Sequence, residues 1–473
     1  MTTTTDHRAE LDESDSGLKR TITGRQLFFY TLGDVLGSGI YVLIGLVAAA
    51  VGGAFWIAFA VGITIAAITG SAYAELVTKY PRAAGASLYV NKAFGSRALT
   101  FLVTVSFLSA SFAAAGSLAS GFAQYFAELW AAPPALLVML LFVAALSVIN
   151  FIGITESVVV NMLMAFVEIA GLGIILVAGV WYVVQGDADF GTLVEFKTTG
   201  NPALAVLAGV ALSFFAMTGF ENTANVAEET VDPHRSFPRA LLGGMVVAGL
   251  VYVLVSVTAA LTVPTDTLAG SDAALLEVIK EGILPVPVGF MSDLFAVIAM
   301  IAITNTTLVA VVTQPRILYG MANEDVVPSA FNKLHEGRRS PWVGLVFSGI
   351  VVAALLVVGT LLTEAGAGLD LVARLATVTV LFLLFIYALV IVSVLKLRGH
   401  DEHEGTFRAN TPLLLLGLLG NLAILAWSVY DDPTSLLWCA GLVAVGVVLF
   451  LVELVLRRRD GSGSSPDAEV QIV

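Results

Sequence analysis

Cysteine, histidine at depth and charge are all scarce in this chain of 473 residues. The single cysteine, Cys439, excludes a disulfide within the chain and leaves no thiolate set for a metal. The five histidines, His7, His234, His335, His400 and His403, fall in polar connections or in the N-terminal tail. No histidine cluster is therefore available inside a hydrophobic segment, and no metal site is expected. Asp, Glu, Lys and Arg make up 12% of the residues against 58% hydrophobic, whereas roughly 25% charged is usual in a soluble domain. Residues 1–25 carry no apolar run of the kind a cleavable signal peptide needs.

What is abundant is long apolar sequence. A spanning helix needs about 20 largely apolar residues. Twelve candidates are read at about 26–49, 53–77, 97–127, 134–153, 157–184, 204–230, 238–263, 288–320, 342–363, 370–396, 412–430 and 434–456. The expected fold class is an all-α polytopic membrane protein with about 12 transmembrane helices. An even count puts both termini on one side, and basic residues say which. With cytoplasmic termini, 20 of the 23 Lys and Arg lie inside; Lys197 and Lys280 lie outside and Arg374 within the tenth segment. Both termini are thus expected in the cytoplasm, with the chain in the cytoplasmic membrane.

Residues 1–23 and 457–473 read as cytoplasmic tails with disordered acidic ends, and no separate soluble domain fits between them. The net charge of −13 fits either an acidic surface kept hydrated at high salt or simply two acidic tails. The connection from Pro264 to Pro287 has a short helical pattern around Ala273–Lys280. It reads as a plain re-entry loop or as an external lid.

Two of the apolar segments are interrupted. The first contains Gly33-Asp34-Val35-Leu36-Gly37-Ser38-Gly39-Ile40, and the sixth contains Phe214-Phe215-Ala216-Met217-Thr218-Gly219-Phe220-Glu221. Lipid offers no partner to a freed backbone group, so irregular backbone at mid-membrane depth is tolerated only where it faces protein or a cavity. Broken segments in corresponding halves of a chain point to a transporter's binding site. The N–H groups that begin a second half-helix suit a carboxylate; the carbonyls that end a first half-helix suit an ammonium or a sodium ion. The rival reading of Gly37, Ser38 and Gly39 is close helix packing by small residues, and a side chain at Gly39 is expected to block backbone access.

Ionisable groups at depth sharpen the reading. A carboxylate there costs at least about 2.5 kcal/mol on insertion scales, so Asp34 is expected either to bind a substrate amine or proton or to stabilise the unwound segment. Phe215 reads as an aromatic that closes over a ligand, or as packing. Glu168, mid-way in the fifth segment, and Glu221, just past the second break, are the candidates for loading and releasing a proton. Glu75 reads as a structural cap at the inner face, and Arg374 as snorkelling or pairing near Asp370. Glu228-Glu229, Asp232, Arg235 and Arg239 read as an inner gate or loop contact.

The motifs combine into a resemblance. Besides the two breaks they are Tyr73-Ala74-Glu75-Leu76 through Pro81, Gly85-Ala86-Ser87-Leu88-Tyr89 with Ala93-Phe94-Gly95, Asp232-Pro233-His234-Arg235-Ser236-Phe237-Pro238-Arg239, and Arg316-Ile317-Leu318-Tyr319-Gly320-Met321-Ala322 running on to Ser340-Pro341-Trp342. In this order the chain resembles the amino acid–polyamine–organocation (APC) permease superfamily, bacterial or archaeal type, over residues 24–456. The resemblance implies a LeuT-like 5+5 inverted repeat, about 24–184 and 204–396, with helices 1 and 6 broken and two peripheral helices at 412–456. It implies that Gly37, Ser38 and Gly39 hold an amino acid carboxylate, that carbonyls near Asp34–Val35 and Phe214–Ala216 hold its amine, and that Thr218 and Gly219 border the side-chain pocket. Related cationic amino acid permeases place a lysine in the fifth helix, where this chain has Glu168. That leaves Glu168 as a proton carrier or as a neighbour of a real cation, with Thr304, Thr306 and Thr307 as hydroxyls for a sodium site.

The function expected is secondary active transport of amino acids by alternating access, through proton symport or exchange. A polyamine or organocation carrier and a transporter-like amino acid sensor are the alternatives. An intramembrane enzyme is disfavoured, because no nucleophile–base pair stands at depth. The expected partners are a small-molecule substrate, an amino acid, and the lipid bilayer, with no nucleic acid, no cofactor beyond a coupling H+ or Na+, and no oligomeric state fixed by the sequence.

Overall fold

The computed structural model describes residues 21–459 apart from 83–84, 153–157, 198–200, 228, 324–325, 337, 339, 367 and 401–404. Both acidic tail ends, Glu228 and Arg339 lie outside the described residues. Helices α1 (Gly24–Val35) and α2 (Gly39–Val51) form the first span, bent by 42° at the glycine break. Then come α3 (Trp56–Lys79), the short α4 (Gly85–Phe94), α5 (Arg97–Leu129), α6 (Ala135–Ile152) and α7 (Val158–Gln185). The sixth span is α8 (Pro202–Ser213) continued by 3-10 turns at Phe214–Met217 and Phe220–Val226. It is followed by α9 (Pro233–Thr262), α10 (Thr265–Gly270), α11 (Ala274–Lys280), α12 (Val288–Asn323), α13 (Trp342–Glu364), α14 (Leu371–Leu397), α15 (Thr411–Asp431) and α16 (Ser435–Arg459). Among the described residues, eleven helices are long and apolar enough to cross a membrane, and the bent pair makes twelve.

Capping explains where several spans begin. Thr23 and Gln26 form a reciprocal capping box ahead of α1. The side chains of Ser96, Asn201, Asp370 and Asn410 accept backbone N–H groups at the starts of α5, α8, α14 and α15. The helices are apolar on their outer faces too: Leu141, Val184, Leu250, Ile350, Leu419 and Leu437 are all exposed. So much outward apolar surface suits lipid and not water.

Packing between spans comes in exchanged pairs. The second span packs on the seventh and the third on the eighth. The first packs on the seventh as the sixth does on the second, and the third on the tenth as the eighth does on the fifth. Swapping each of the first five spans with its counterpart five later leaves this pattern intact, as an inverted repeat requires. The tenth span has 72% of its most apolar stretch enclosed and the twelfth only 22%, so α16 stands at the periphery.

Three expectations change. The second half of the sixth span is a seven-residue 3-10 run, not a regular half-helix, and its end is tied down by the N-terminal segment through an Ile22–Thr230 β-bridge. The connection after α9 is a packed element: Leu268, Leu275, Leu276, Val278 and Ile279 of α10 and α11 are buried, and the carbonyl of Leu268 lies against Gly45 of α2. Arg374 pairs with Asp432 at 2.6 Å across to the α15–α16 turn, while Asp370 instead accepts the N–H of Ala373. Burial works against the Asp432 carboxylate, yet hydrogen bonds from Ser435 and Thr434 and the charge of Arg374 hold its pKa below the usual range.

Glu75 is more than a cap. Its carboxylate takes Arg398 in a two-pronged pair at 2.9 and 2.8 Å and accepts the N–H of Ala409 at 2.7 Å. Arg398 also donates to the carbonyl of Ala409, and Lys79 to that of Leu397, so the end of α14 is pinned to α3. Removing one member of a buried pair leaves the other charge uncompensated, at a cost of about 3–5 kcal/mol. Arg398→Ala is expected to lower the thermal unfolding midpoint of the detergent-solubilised protein by roughly 5 °C or more. Lys280→Ala, which breaks the solvent-exposed pair with Glu128, is expected to cost about 1 kcal/mol or less. Equal shifts for the two variants would remove the special standing of the Glu75–Arg398 pair.

Candidate functional site

The two interruptions meet. Gly219 has φ +114°, and a Cβ placed on it would lie 2.6 Å from the carbonyl oxygen of Asp34. On the other side of the break, a Cβ on Gly39 would lie 2.8 Å from the Cβ of Ala216 and run into that residue's backbone. Main chain thus packs on main chain at both ends of the first break, which only glycine permits. The expected effect of a side chain at Gly39 is corrected here: it strikes Ala216 before it can act on any ligand.

Freed backbone groups in both breaks find side-chain partners. The Tyr252 hydroxyl of α9 donates to the carbonyls of Val35 at 2.5 Å and Gly37 at 3.2 Å. The N–H of Ser38 donates to Thr306 Oγ1 of α12 at 3.1 Å. In the sixth span the Thr218 hydroxyl donates to the carbonyl of Phe215 at 2.7 Å. The N–H of Gly219 donates to Glu221 Oε2 at 2.9 Å, and Tyr387 donates to the same oxygen at 2.7 Å. Two of the carbonyls expected to hold an amine, those of Val35 and Phe215, already accept a hydrogen bond.

Between the breaks lies a cavity of about 80 Å³. Asp34, Gly37, Gly39, Phe215, Ala216, Thr218, Gly219 and Glu221 are in its wall, so the structure brings these sequence candidates together. Helix α5 adds Phe107, Ala110, Ser111, Ala114 and Leu118; α12 adds Thr306, Val309, Ala310 and Thr313; α14 adds Thr379 and Leu383. Each set repeats at three- and four-residue spacing, one helix face turned to the cavity. Behind the first break aromatics pack together: Tyr41 stands 5.9 Å from Phe295 and 6.5 Å from Tyr125, centroid to centroid, and Tyr125 donates to the Tyr41 carbonyl. Phe107 and Thr313 carry the cavity wall toward the end where α5 begins and α12 ends.

Five candidates fall outside the wall. Ser38 is buried and presents its N–H to Thr306. Phe214 is buried behind the cavity against Tyr387, 6.3 Å between centroids. Thr304 and Thr307 donate to the carbonyls of Met300 and Ile303 in their own helix, at 2.7 and 2.6 Å. Their neighbour Thr306 is the one on the cavity face, because a helix turns about 100° per residue. Glu168 is fully enclosed and, among the described residues, neither carboxylate oxygen has a partner, while its backbone carbonyl accepts the Tyr41 hydroxyl at 3.1 Å. It interacts electrostatically with Asp34 across the back of the first break.

Sequence reasoning passed over Tyr252, Tyr387 and Asn222. Tyrosines in apolar segments give no sign of which carbonyl they reach. Asn222, whose side chain hydrogen-bonds Asp34, sat next to Glu221 in the motif and was the most accessible to inference.

Twelve spans built as an inverted repeat, with a cavity between two broken ones, define a membrane transporter. A sequence profile of the amino acid permease family matches residues 22–452, and the chain belongs to that family. It is 24% identical to the methylthioribose transporter of Bacillus subtilis (strain 168) over 461 residues, covering 92% of this chain and 93% of that one. It is 25% identical to the branched-chain amino acid permease BcaP of the same organism over 361 residues, or 72% and 75% of the two chains. A crystal structure of a manganese transporter mutant from Eremococcus coleocola superposes with a TM-score of 0.58 at 13% identity, covering 95% of this chain and 99% of that one. That likeness is one of fold, the LeuT-like arrangement.

Gly219→Ala combines a left-handed φ, which disfavours any side chain, with a 2.6 Å contact to main chain. We expect it to lower the unfolding midpoint by several degrees, whereas Thr218→Val, which removes one hydrogen bond to the Phe215 carbonyl without a main-chain clash, is expected to shift it by less than half as much. Thermal unfolding followed by tryptophan fluorescence checks both, and an unchanged midpoint for Gly219→Ala would refute the close approach.

Proposed function

We propose that the protein is a secondary active transporter that carries amino acids across the cytoplasmic membrane by alternating access, with both termini in the cytoplasm and residues 24–456 as its working unit. The observation that carries this reading is a cavity walled by both breaks. The substrate carboxylate sits at the Gly37–Gly39 turn beside the Thr306 hydroxyl, and its amine beside Asp34. Phe215 covers the ligand, and Thr218 and Gly219 border its side chain. The cavity wall runs on along Phe107 and Thr313 toward the end where α5 begins and α12 ends, which positive-inside counting places on the cytoplasmic side, and this supports an inward-facing arrangement.

Coupling is assigned to a proton on Glu168, through symport or exchange. An enclosed carboxylate without a hydrogen-bond partner is strongly disfavoured as an ion and readily takes a proton. Thr304 and Thr307 turn their hydroxyls to their own helix, which weakens the case for sodium. The B. subtilis relatives, named for methylthioribose and for branched-chain amino acids, support a small organic solute.

The test is uptake into proteoliposomes of a panel of labelled amino acids under imposed pH and sodium gradients. We expect accumulation driven by an inward proton gradient. In Glu168→Gln we expect at least a tenfold loss of pH-driven accumulation, with exchange between preloaded and external substrate partly kept. No uptake or exchange of any amino acid or amine would overturn the function, and an unchanged pH response in the variant would clear Glu168 of the role.

A further inference from the structure

Three cations crowd one corner of the face that positive-inside counting places in the cytoplasm. Lys92 belongs to the short helix α4, Arg97 opens α5, and Lys396 lies in the last turn of α14. Lys396 is remote from the other two in sequence, yet its Nζ stands 4.6 Å from the centroid of the Phe94 ring on α4. Arg97 follows Phe94 by three residues, so their Cα atoms are at most about 11 Å apart. Lys92 Nζ lies 6.0 Å from the ring of Tyr80, just past the end of α3. All three cations are exposed.

No acid answers them. Among the described residues no carboxylate pairs with Lys92, Arg97 or Lys396. Glu75, at the same end of α14, is taken by Arg398, and Glu453, the one acid of α16, is buried. A topological signal asks only for basic residues in inner connections. It does not require them to be gathered from three elements or two of them to be seated on aromatic rings, which hold a cation without cancelling its charge.

An apolar seam adjoins the cations. Helix α16 packs on α5 and α14 at this corner, and Phe450 meets Phe101 at 5.4 Å between centroids. Arg97 and Phe101, four residues apart, share a face of α5, so the cationic end and the seam are continuous. Phe450, Leu451, Leu454 and Val455 are exposed along α16, as suits a surface that lies against hydrocarbon.

We propose that the corner between α4, α5, α14 and α16 binds an anionic phospholipid, with its phosphate held by Lys92, Arg97 and Lys396 and its acyl chains along the Phe101–Phe450 seam. Basic pockets between spans on the cytoplasmic side suit such headgroups, and the exposed seam favours a lipid over free phosphate. Helices α5 and α14 also wall the cavity, so the lipid braces two helices of the site at their inner ends. The proposal is independent of which solute the cavity carries.

Full-length protein in a neutral detergent is unfolded thermally with phosphatidylglycerol, phosphatidylcholine of the same chains, or inorganic phosphate, each at equal concentration. Phosphatidylglycerol is expected to raise the midpoint by about 4 °C or more, and the other two by less than about 1 °C. The combined variant Lys92→Gln, Arg97→Gln, Lys396→Gln is expected to lose at least about three quarters of that rise. Removing three cations elsewhere on the same face (Arg235→Gln, Lys333→Gln, Arg338→Gln) is expected to keep it. If the first combined variant does not fold, Lys396→Gln alone, expected to lose about half of the rise, decides in its place. An equal rise with phosphatidylcholine overturns charge recognition, and an equal rise with phosphate overturns the lipid as ligand. Equal losses in the two combined variants reduce the corner to general surface charge and overturn the site.

Discussion

The structure depends on one contact, the approach of two unwound main chains at the level of Asp34, Gly39, Ala216 and Gly219. Each broken span would be intolerable in lipid alone, because its freed N–H and C=O groups would find no partner. Brought together they leave one continuous space, and glycine at 39 and 219 is what lets them come close enough. The remaining polar groups are then answered from outside the breaks: Tyr252 from the seventh span, Thr306 from the eighth, Tyr387 from the tenth. Three spans thus hold two, and the site is a joint between the repeats and not a property of either.

That joint explains the placement of the acids. Glu221 has two donors and is a built part of the wall, while Asp34 keeps one oxygen free beside the cavity. Glu168 has no donor at all and no opening. The three therefore form a graded series, from fixed through poised to enclosed. Tyr41 and Tyr252 interact with Glu168 electrostatically, and each also hydrogen-bonds backbone at or behind the first break. A change of charge on Glu168 would accordingly be felt by the groups that hold the break, which is the physical link coupling requires.

Much of the architecture was legible in the residues. Spans announce themselves by length, and the Gly37-Ser38-Gly39 and Thr218-Gly219 breaks by composition, because apolar helices rarely tolerate such interruptions without use. Helix α4 was visible as a motif, Gly85 to Phe94, but was too short to register as a span. What a single sequence does not carry is rotation. Thr304, Thr306 and Thr307 are equivalent in composition, and only the angle at which α12 is set selects Thr306. The same limit hid Tyr252 and Tyr387, and it turned Arg374 toward Asp370, four residues away in sequence, when Asp432 was the real partner.

The two ends of the site also differ in kind. At one end, α14 is pinned to α3 through Glu75, Arg398 and Lys79, a fixed arrangement of charge and hydrogen bonds. At the other, aromatic edges at Tyr41, Tyr125 and Phe295 pack together and α10 and α11 bury an apolar underside. Apolar contacts are non-directional and separate without stranding a charge, whereas a buried ion pair cannot part without large cost. Any rearrangement of the spans would therefore part apolar contacts such as these more readily than the Glu75–Arg398 clasp, which is better suited to travel as a rigid unit than to open.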